Sequence, residues 1–267
     1  TLTALGRLAR YQRERAKVKV LAITGSSGKT TTRRLCKQIF ATRYYTHATC
    51  GNLNNEIGVP LTLLQLSRAH EWAVIEMGMN HAGEIARLTQ MARPDIAMVL
   101  NTAGVHLEGL GSVENVAKAK SEIFEGVKEG GTAILPADDP RYSIMKAHAK
   151  KNKNIKNLLF FGNTEDAHAT AADIKADDKT IQFTLAMEDI EEKLSINSPG
   201  RFMVQNCLAA VAAARTAGIG IRQIKKGLSL FTPVKGRMVI YPVNETITLM
   251  DDTYNANPSS VAGALDT

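Results

Sequence analysis

The sequence predicts an α/β fold: a doubly wound, mostly parallel sheet with a phosphate-binding loop (P-loop), plus a small antiparallel β-sheet later in the chain. Three observations carry that expectation. Short apolar runs alternate with helical patterns from Val18 to about Gly162, the βαβ rhythm of a parallel sheet covered on both faces. The first strand pattern, Val20-Leu21-Ala22-Ile23, leads straight into Thr24-Gly25-Ser26-Ser27-Gly28-Lys29-Thr30. The texture then changes over about 168–197 to stretches such as Thr180-Ile181-Gln182-Phe183-Thr184-Leu185, whose alternation reads as antiparallel strands.

Taken in order, residues 1–17 read as a lone basic helix leading into the first strand. Strands are expected near 18–24, 44–48, 72–77, 95–100, 131–135 and 157–161, with helices starting near 29, 57, 81, 112 and 139. After the antiparallel segment, an alanine-rich helix is expected at 201–217 and another at 221–230, followed by strands at 237–241 and 246–250. Pro258 suits the first turn of a last helix, which meets no stop signal before Thr267.

At 267 residues and 44% hydrophobic content, the chain has material for a sizeable core. Its net charge of +7 is concentrated in two runs: residues 1–19 hold six Arg/Lys against Glu14, and residues 146–157 hold five lysines without a carboxylate. Both lack the interleaved aromatics that stack with bases, so we expect solvated flanks and no nucleic-acid partner. Three cysteines without metal-ligand spacing favour free thiols in a reducing compartment, and the longest apolar runs are too short for a membrane span. A cytoplasmic enzyme, monomeric, is the expectation.

The turn from Gly25 to Thr30 has the chemistry of a phosphate cradle. Backbone N–H groups and a helix N-terminus would face phosphate oxygens, Lys29 would add positive charge, and the Thr30 hydroxyl would offer a Mg²⁺ ligand. The usual spacing places four residues between the two glycines, whereas only Ser26 and Ser27 stand here and Ile23 occupies the place of the first glycine. The plain alternative is a strand-to-helix turn of small residues.

Ligands of open α/β sheets bind at the carboxyl ends of the strands. Glu76 ends the run Trp72–Ile75 there, the segment Asn101 to His106 follows Asp95–Leu100, and Asp251 and Asp252 follow Ile247–Met250. A carboxylate and an imidazole near a triphosphate could hold Mg²⁺; equally, Glu76 could cap a helix or pair with a cation, and His106 could hydrogen-bond its loop. Lys120 falls on one face with Val113, Val116, Ile123 and Val127, interrupting an apolar stripe from which Lys118 points away. A buried amine loses its proton more easily and can form a carbamate with CO₂, an oxygen ligand for Mg²⁺; the other reading is a lysine snorkelling to water. Two asparagine-rich loops, Gly51–Pro60 and Asp251–Pro258, offer uncharged donors and acceptors.

Together, Gly25-Ser26-Ser27-Gly28-Lys29-Thr30, Glu76-Met77-Gly78, Asn80-His81, the His106 loop, Ala117–Phe124 and Asp252–Pro258 resemble the Mur ligases of peptidoglycan synthesis. The resemblance extends over nearly the whole chain. It implies three domains, of which this chain is similar to the central one. We therefore expect 1–17 to be a linker helix from an N-terminal UDP-sugar domain, 18–257 the ATP-binding domain, and 258–267 the start of a C-terminal domain.

Within the family, the Gly51–Pro60 and Tyr254–Pro258 segments point to the member that joins D-alanyl-D-alanine to UDP-N-acetylmuramoyl-tripeptide through an acyl phosphate, with ATP and Mg²⁺. The resemblance places Thr24, Gly25, Ser26, Ser27, Gly28, Lys29 and Thr30 around ATP, with Lys29 on the β- and γ-phosphates. It assigns Thr30 and Glu76 to one Mg²⁺, and His106 with carbamylated Lys120 to a second. Asp252 would bind the ribose, Arg237 the phosphate region, Asn206 and Asn257 the nucleotide surroundings, and Asn54 and Asn55 the substrate peptide or the phosphates. Lys29, His106 and Lys120 are thus the catalytic candidates. One departure stands out: where the family has His-Asn after its Gly-Arg or Gly-Lys turn, Gly200-Arg201 is followed by Phe202-Met203. The rival readings are a Mur-type ligase adding a single amino acid, a folylpolyglutamate synthase-like ligase, and, in a different class, a nucleotide-binding switch module.

Overall fold

The computed structural model describes residues 1–105, 107–188 and 190–267. Six strands form the parallel part of the sheet: β1 (Lys19–Thr24), β2 (Thr46–Ala48), β3 (Trp72–Glu76), β4 (Ile96–Val99), β5 (Gly131–Pro136) and β6 (Ile155–Phe161). Their spatial order is β2-β3-β1-β4-β5-β6, all parallel. The runs in β1, β3, β4 and β5 are buried almost end to end, as expected of strands covered on both faces.

The antiparallel strands are β7 (Ala169–Ala176), β8 (Ile181–Met187) and β9 (Ile190–Ile196). They do not stand apart. A single parallel pair, Phe161 with Ala169, joins β7 to β6, so the sheet runs on through nine strands. A separate two-stranded ribbon pairs β10 (Val239–Pro242) with β11 (Thr248–Asp251).

Helices cover the two faces. On one lie α1 (Leu2–Ala16), α3 (Gly58–Leu64), α4 (Glu84–Ala92), α6 (Val113–Ser121) and α7 (Tyr142–Lys151). On the other lie α2 (Lys29–Phe40), α8 (Met203–Thr216) and α9 (Ile221–Ser229). The short α5 (Leu107–Leu110) precedes α6, and α10 (Pro258–Leu265) follows the ribbon with Pro258 at its first turn. The basic helix α1 is packed on α3 and α4: the Arg13 guanidinium donates to the Arg93 carbonyl at 2.8 Å and lies 3.7 Å from Asp95. Helix α8 is buried nearly all round, and its alanines let it sit close to the sheet beside α2. Among the described residues no helix is long and apolar enough to cross a membrane.

The position of α2 is fixed by a close approach at Gly227. A Cβ there would stand 2.5 Å from Ile39 Cα and 2.9 Å from Ile39 N, so α9 and α2 touch nearly backbone to backbone. Gly227→Ala should therefore push the two helices apart and destabilise the fold by about 1–3 kcal/mol, read as a lower urea midpoint with unchanged slope. An unchanged midpoint would show that α9 moves aside without cost.

Candidate active site

The carboxyl ends of β1, β3 and β4 bring the reactive residues together. Strand β1 ends at Thr24, whose side chain is buried beneath the loop rather than facing outward. The loop is then clasped by the segment after β4. Ser26 N donates to the Asn101 carbonyl at 3.1 Å and Ser27 N to Asn101 Oδ1 at 2.9 Å. Asn101 Nδ2 returns a bond to the Ser27 carbonyl at 3.2 Å, and Ala103 N donates to Ser26 Oγ at 2.9 Å.

Gly28 turns the chain into α2 with φ +76°, a left-handed conformation, and any Cβ there would collide with Asn206 Oδ1. No side chain caps α2. The first N–H groups of a helix have no intrahelical acceptor, so the start of α2 presents amide donors at the positive end of its dipole. Lys29 Nζ lies back on the loop, donating to the Gly25 carbonyl at 2.7 Å. Burial lowers its pKa, Glu76 opposes that shift and Arg237 adds to it.

Glu76, at the end of β3, is only 2% exposed. Its Oε1 accepts from Asn54 Nδ2 at 2.9 Å and from the Thr30 hydroxyl at 3.4 Å. Its Oε2 lies 3.1 Å from Arg33 Nε, near enough for ion pairing but not aligned as a hydrogen bond, and it has no aligned donor. A shielded carboxylate oxygen with spare lone pairs beside a threonine hydroxyl is the hard oxygen donor set that Mg²⁺ prefers, so these residues fit that ion. Among the described residues there is no group of three or more His, Cys, Asp or Glu that could hold a metal by itself.

Lys120 is buried in α6 at 2% exposure, while Lys118 is exposed. Burial, and then the charge of Lys29, hold its pKa well below the ordinary lysine value. His106 lies outside the described residues.

Beyond the loop a cavity of about 400 Å³ runs from Ser27 and Gly28 towards Asp138, Phe202 and Asp252. Buried Asn206 stands at its loop end, its Oδ1 accepting from Thr32 Oγ1 at 3.2 Å. Asp252 accepts from Met238 N at 3.2 Å, and burial raises its pKa. Arg237 stacks over Tyr254, 4.3 Å from the ring centre. Phe202 and Met203, where the family resemblance expected His-Asn, both line this cavity.

Two of the expected residues are occupied locally. Asn257 caps α10, its Oδ1 accepting from Ser260 N, and Asn55 accepts from Ile57 N and Gly58 N at the start of α3. Asn101 stands in the sequence only as the first residue of the Asn101–His106 segment, and no motif marks Asp138 or Gln205. Asp138 accepts from Asn163 N at 2.9 Å and from Gln205 Nε2 at 3.1 Å, tying two cavity walls together. The signal for them in the sequence is only their position after β4, after β5 and in α8.

Two outcomes follow from this geometry. Asn101→Ala should weaken nucleotide binding about tenfold by loosening the loop, measured by titration calorimetry, because one side chain supplies three of its hydrogen bonds; unchanged affinity would mean the loop is self-supporting. For Lys120, folding lowers the pKa, so the unfolded chain binds more protons and stability rises with pH up to the ordinary lysine value. In carbonate-free buffer Lys120→Met should thus be more stable than the parent at pH 7, with the gap closing towards about pH 10.4. A gap that does not change with pH would show that the amine stays protonated in the fold.

Known proteins share both the sequence pattern and the fold of this chain. Residues 23–214 match the Mur ligase middle domain. The chain is 39% identical over 265 residues to the UDP-N-acetylmuramoyl-tripeptide--D-alanyl-D-alanine ligase of Escherichia coli K12, covering 99% of this chain and 58% of that protein. Against the Bacillus subtilis protein of the same name it is 35% identical, covering 99% and 56%. Among solved structures, MurF from Acinetobacter baumannii superposes with a TM-score of 0.94 at 36% identity, covering 100% of this chain and 57% of that one. MurF from Thermotoga maritima in complex with ADP gives 0.87 at 28%, covering 99% and 60%. The chain thus spans somewhat under three fifths of the length of the curated relatives it matches. With its family model matched across most of its length, the chain belongs to the Mur ligase family.

Proposed function

We propose that this chain is the ATP-binding part of a ligase that joins D-alanyl-D-alanine to UDP-N-acetylmuramoyl-tripeptide in the cytoplasm, releasing ADP and phosphate. The observation that carries the reading is the convergence of the clasped loop, Glu76 with Asn54, and buried Lys120 at one end of one sheet. The names and ADP complex of its relatives support the choice of substrates and nucleotide.

The chain's own part in such a reaction follows from charge and position. The amides at the start of α2 and the Lys29 ammonium would hold the β- and γ-phosphates and keep the γ-phosphorus fixed for in-line attack by a substrate carboxylate. To reach them, Lys29 must exchange its bond to the Gly25 carbonyl for phosphate oxygens. Thr30 and Glu76 would hold one Mg²⁺, with His106 and Lys120, as its carbamate, holding a second; the ion supplies neutralising charge on the crowded oxygens. Asn54 orients Glu76 and shields it from water. The cavity beyond Gly28 would take the nucleoside, with Asp252 on the ribose and Arg237 near the phosphates. The amine of D-alanyl-D-alanine would then attack the acyl carbon of the resulting acyl phosphate, so that the C–N bond of the amide forms as the C–O bond to phosphate breaks, releasing inorganic phosphate and a proton.

Phosphate release by the protein in its natural length should require both the tripeptide precursor and D-alanyl-D-alanine; release that ignores them would overturn the ligase reading in favour of a nucleotide switch. Lys29→Ala should lower turnover by at least about a hundredfold, since a preorganised charge on the transferred group is lost; near-normal turnover would remove Lys29 from the cradle. Lys120→Ala should be inactive and partly restored by added short carboxylates, and an active variant that needs no rescue would show that the lysine only packs.

A further inference from the structure

The cavity on the nucleoside side is not the only opening at the loop. A second groove of about 760 Å³ begins at Thr30 and runs along α2 to the loop after β2, with Arg237 and Val234 shared between the two. Four cations line it, Arg33, Arg34, Lys37 and Arg237, and among the described residues no carboxylate does. Arg33 is neutralised in part by Glu76, but the other three have no acidic neighbour in the lining.

Two side chains of the lining, Arg34 and the neighbouring Gln38, are anchored yet not fully used. Arg34 is tied to the Thr232 hydroxyl, and Gln38 Nε2 donates to the Leu230 carbonyl at 2.8 Å. The remaining Arg34 Nε and Gln38 Oε1 are shielded from solvent without a hydrogen-bond partner. Buried polar atoms of this kind cost free energy unless something satisfies them. Guanidinium and ammonium groups with a nearby amide carbonyl match a ligand that carries a carboxylate next to an N–H, which is the end of a peptide.

Position agrees with chemistry. With the nucleoside in the first cavity and the phosphates on the loop, the groove opens on the far side of Thr30, where a group meeting the γ-phosphate would lie. We propose that the α2 groove is a subsite for a peptide carboxylate that is not consumed in the reaction, read by Arg34 and Lys37. The proposal rests on the ligase reading above and adds the substrate group and the residues that recognise it. Two sources carry such a group: a non-reacting carboxylate of the tripeptide precursor, and the C-terminal carboxylate of D-alanyl-D-alanine.

The natural-length protein tests it in two ways. Steady-state kinetics of Lys37→Gln and Arg34→Gln should show KM for one of the two peptide substrates raised about tenfold, the loss expected of one charged hydrogen bond, with KM for ATP within twofold. Amidating the carboxylate in that substrate should cost the parent the same factor and cost the variants little; which substrate responds identifies the source. The second measurement needs no turnover. Cys50 lines the groove and is exposed, whereas Cys36 and Cys207 are buried and burial pushes their thiols up, that of Cys207 to about 12. Iodoacetamide labelling of Cys50 should slow in the presence of the responding peptide and not with its amidated analogue.

Peptide KM values that stay within twofold in both variants, or a rise confined to ATP, would overturn the proposal, as would labelling of Cys50 that neither peptide slows. A parent protein whose phosphate release ignores both peptides would instead fail the ligase reading, and the labelling still decides the groove.

Discussion

The amide groups at the start of α2 have no partner in their own helix, and much of the surrounding structure depends on keeping them in that state. A helix end left open in this way attracts any nearby acceptor, including side chains of its own loop. Here the competing groups are already engaged. Ser26 and Ser27 bond to Asn101 and Ala103, and Asn206 Oδ1 accepts from Thr32. Glycine at 28 leaves no side chain to fold back over the amides. The loop, two residues shorter than the common phosphate-binding turn, is held from outside by the segment after β4, through Asn101 and Ala103.

That constraint propagates through the sheet. The clasp works only if β4 lies directly beside β1 in register, and it does, with Thr24 opposite Val99. Glu76 reaches Thr30 because β3 flanks β1 on the other side, with Ile23 opposite Glu76. Helix α2 must then leave the loop at one angle, which α8 and the close contact at Gly227 maintain on the outer side. The fold thus fixes three separate segments of sequence, around residues 25–30, 76 and 101–103, to within hydrogen-bonding reach of one another.

How much of this the sequence disclosed follows from the range of the interactions involved. The parallel strands and most helices were legible because a buried strand writes a continuous apolar run and a helix a 3.6-residue period. Lys120 was legible for the same reason, as a polar residue breaking a stripe. The join between β6 and β7 was not, since a single pair, Phe161 with Ala169, leaves no pattern. The start of α4 moved from near 81 to Glu84 because Gly83, with φ +82°, holds the chain out of the helix until then. In the site, local motifs announced the loop and Glu76, but the role of Asn101 depends on a contact spanning 74 residues. Asn55 and Asn257 show the converse: asparagine density marked both loops, yet Asn257 caps the helix that follows it and Asn55 accepts from the amides of Ile57 and Gly58 at the entry to α3. An N-cap and a ligand contact call for the same residue type, and sequence alone cannot separate them.

The pairing of two lysines at this site has its own electrostatic logic. Lys29 and Lys120 each depress toward neutrality, and the charge of Lys29 contributes to the shift at Lys120. Two ammonium groups in a desolvated pocket repel, so each favours loss of the other's proton, and at Lys29 the charge of Glu76 works against that loss. Lys120 is the more deeply buried, and burial holds its pKa well below the ordinary lysine value. Once neutral, its amine is a nucleophile rather than a cation, and the proposed carbamate would reverse its sign from positive to negative. The like-charge repulsion between Lys120 and Lys29 would become an attraction. On this view the buried lysine need not be a flaw tolerated in the core: its burial favours the uncharged amine, and that is the form required by the chemistry proposed for it.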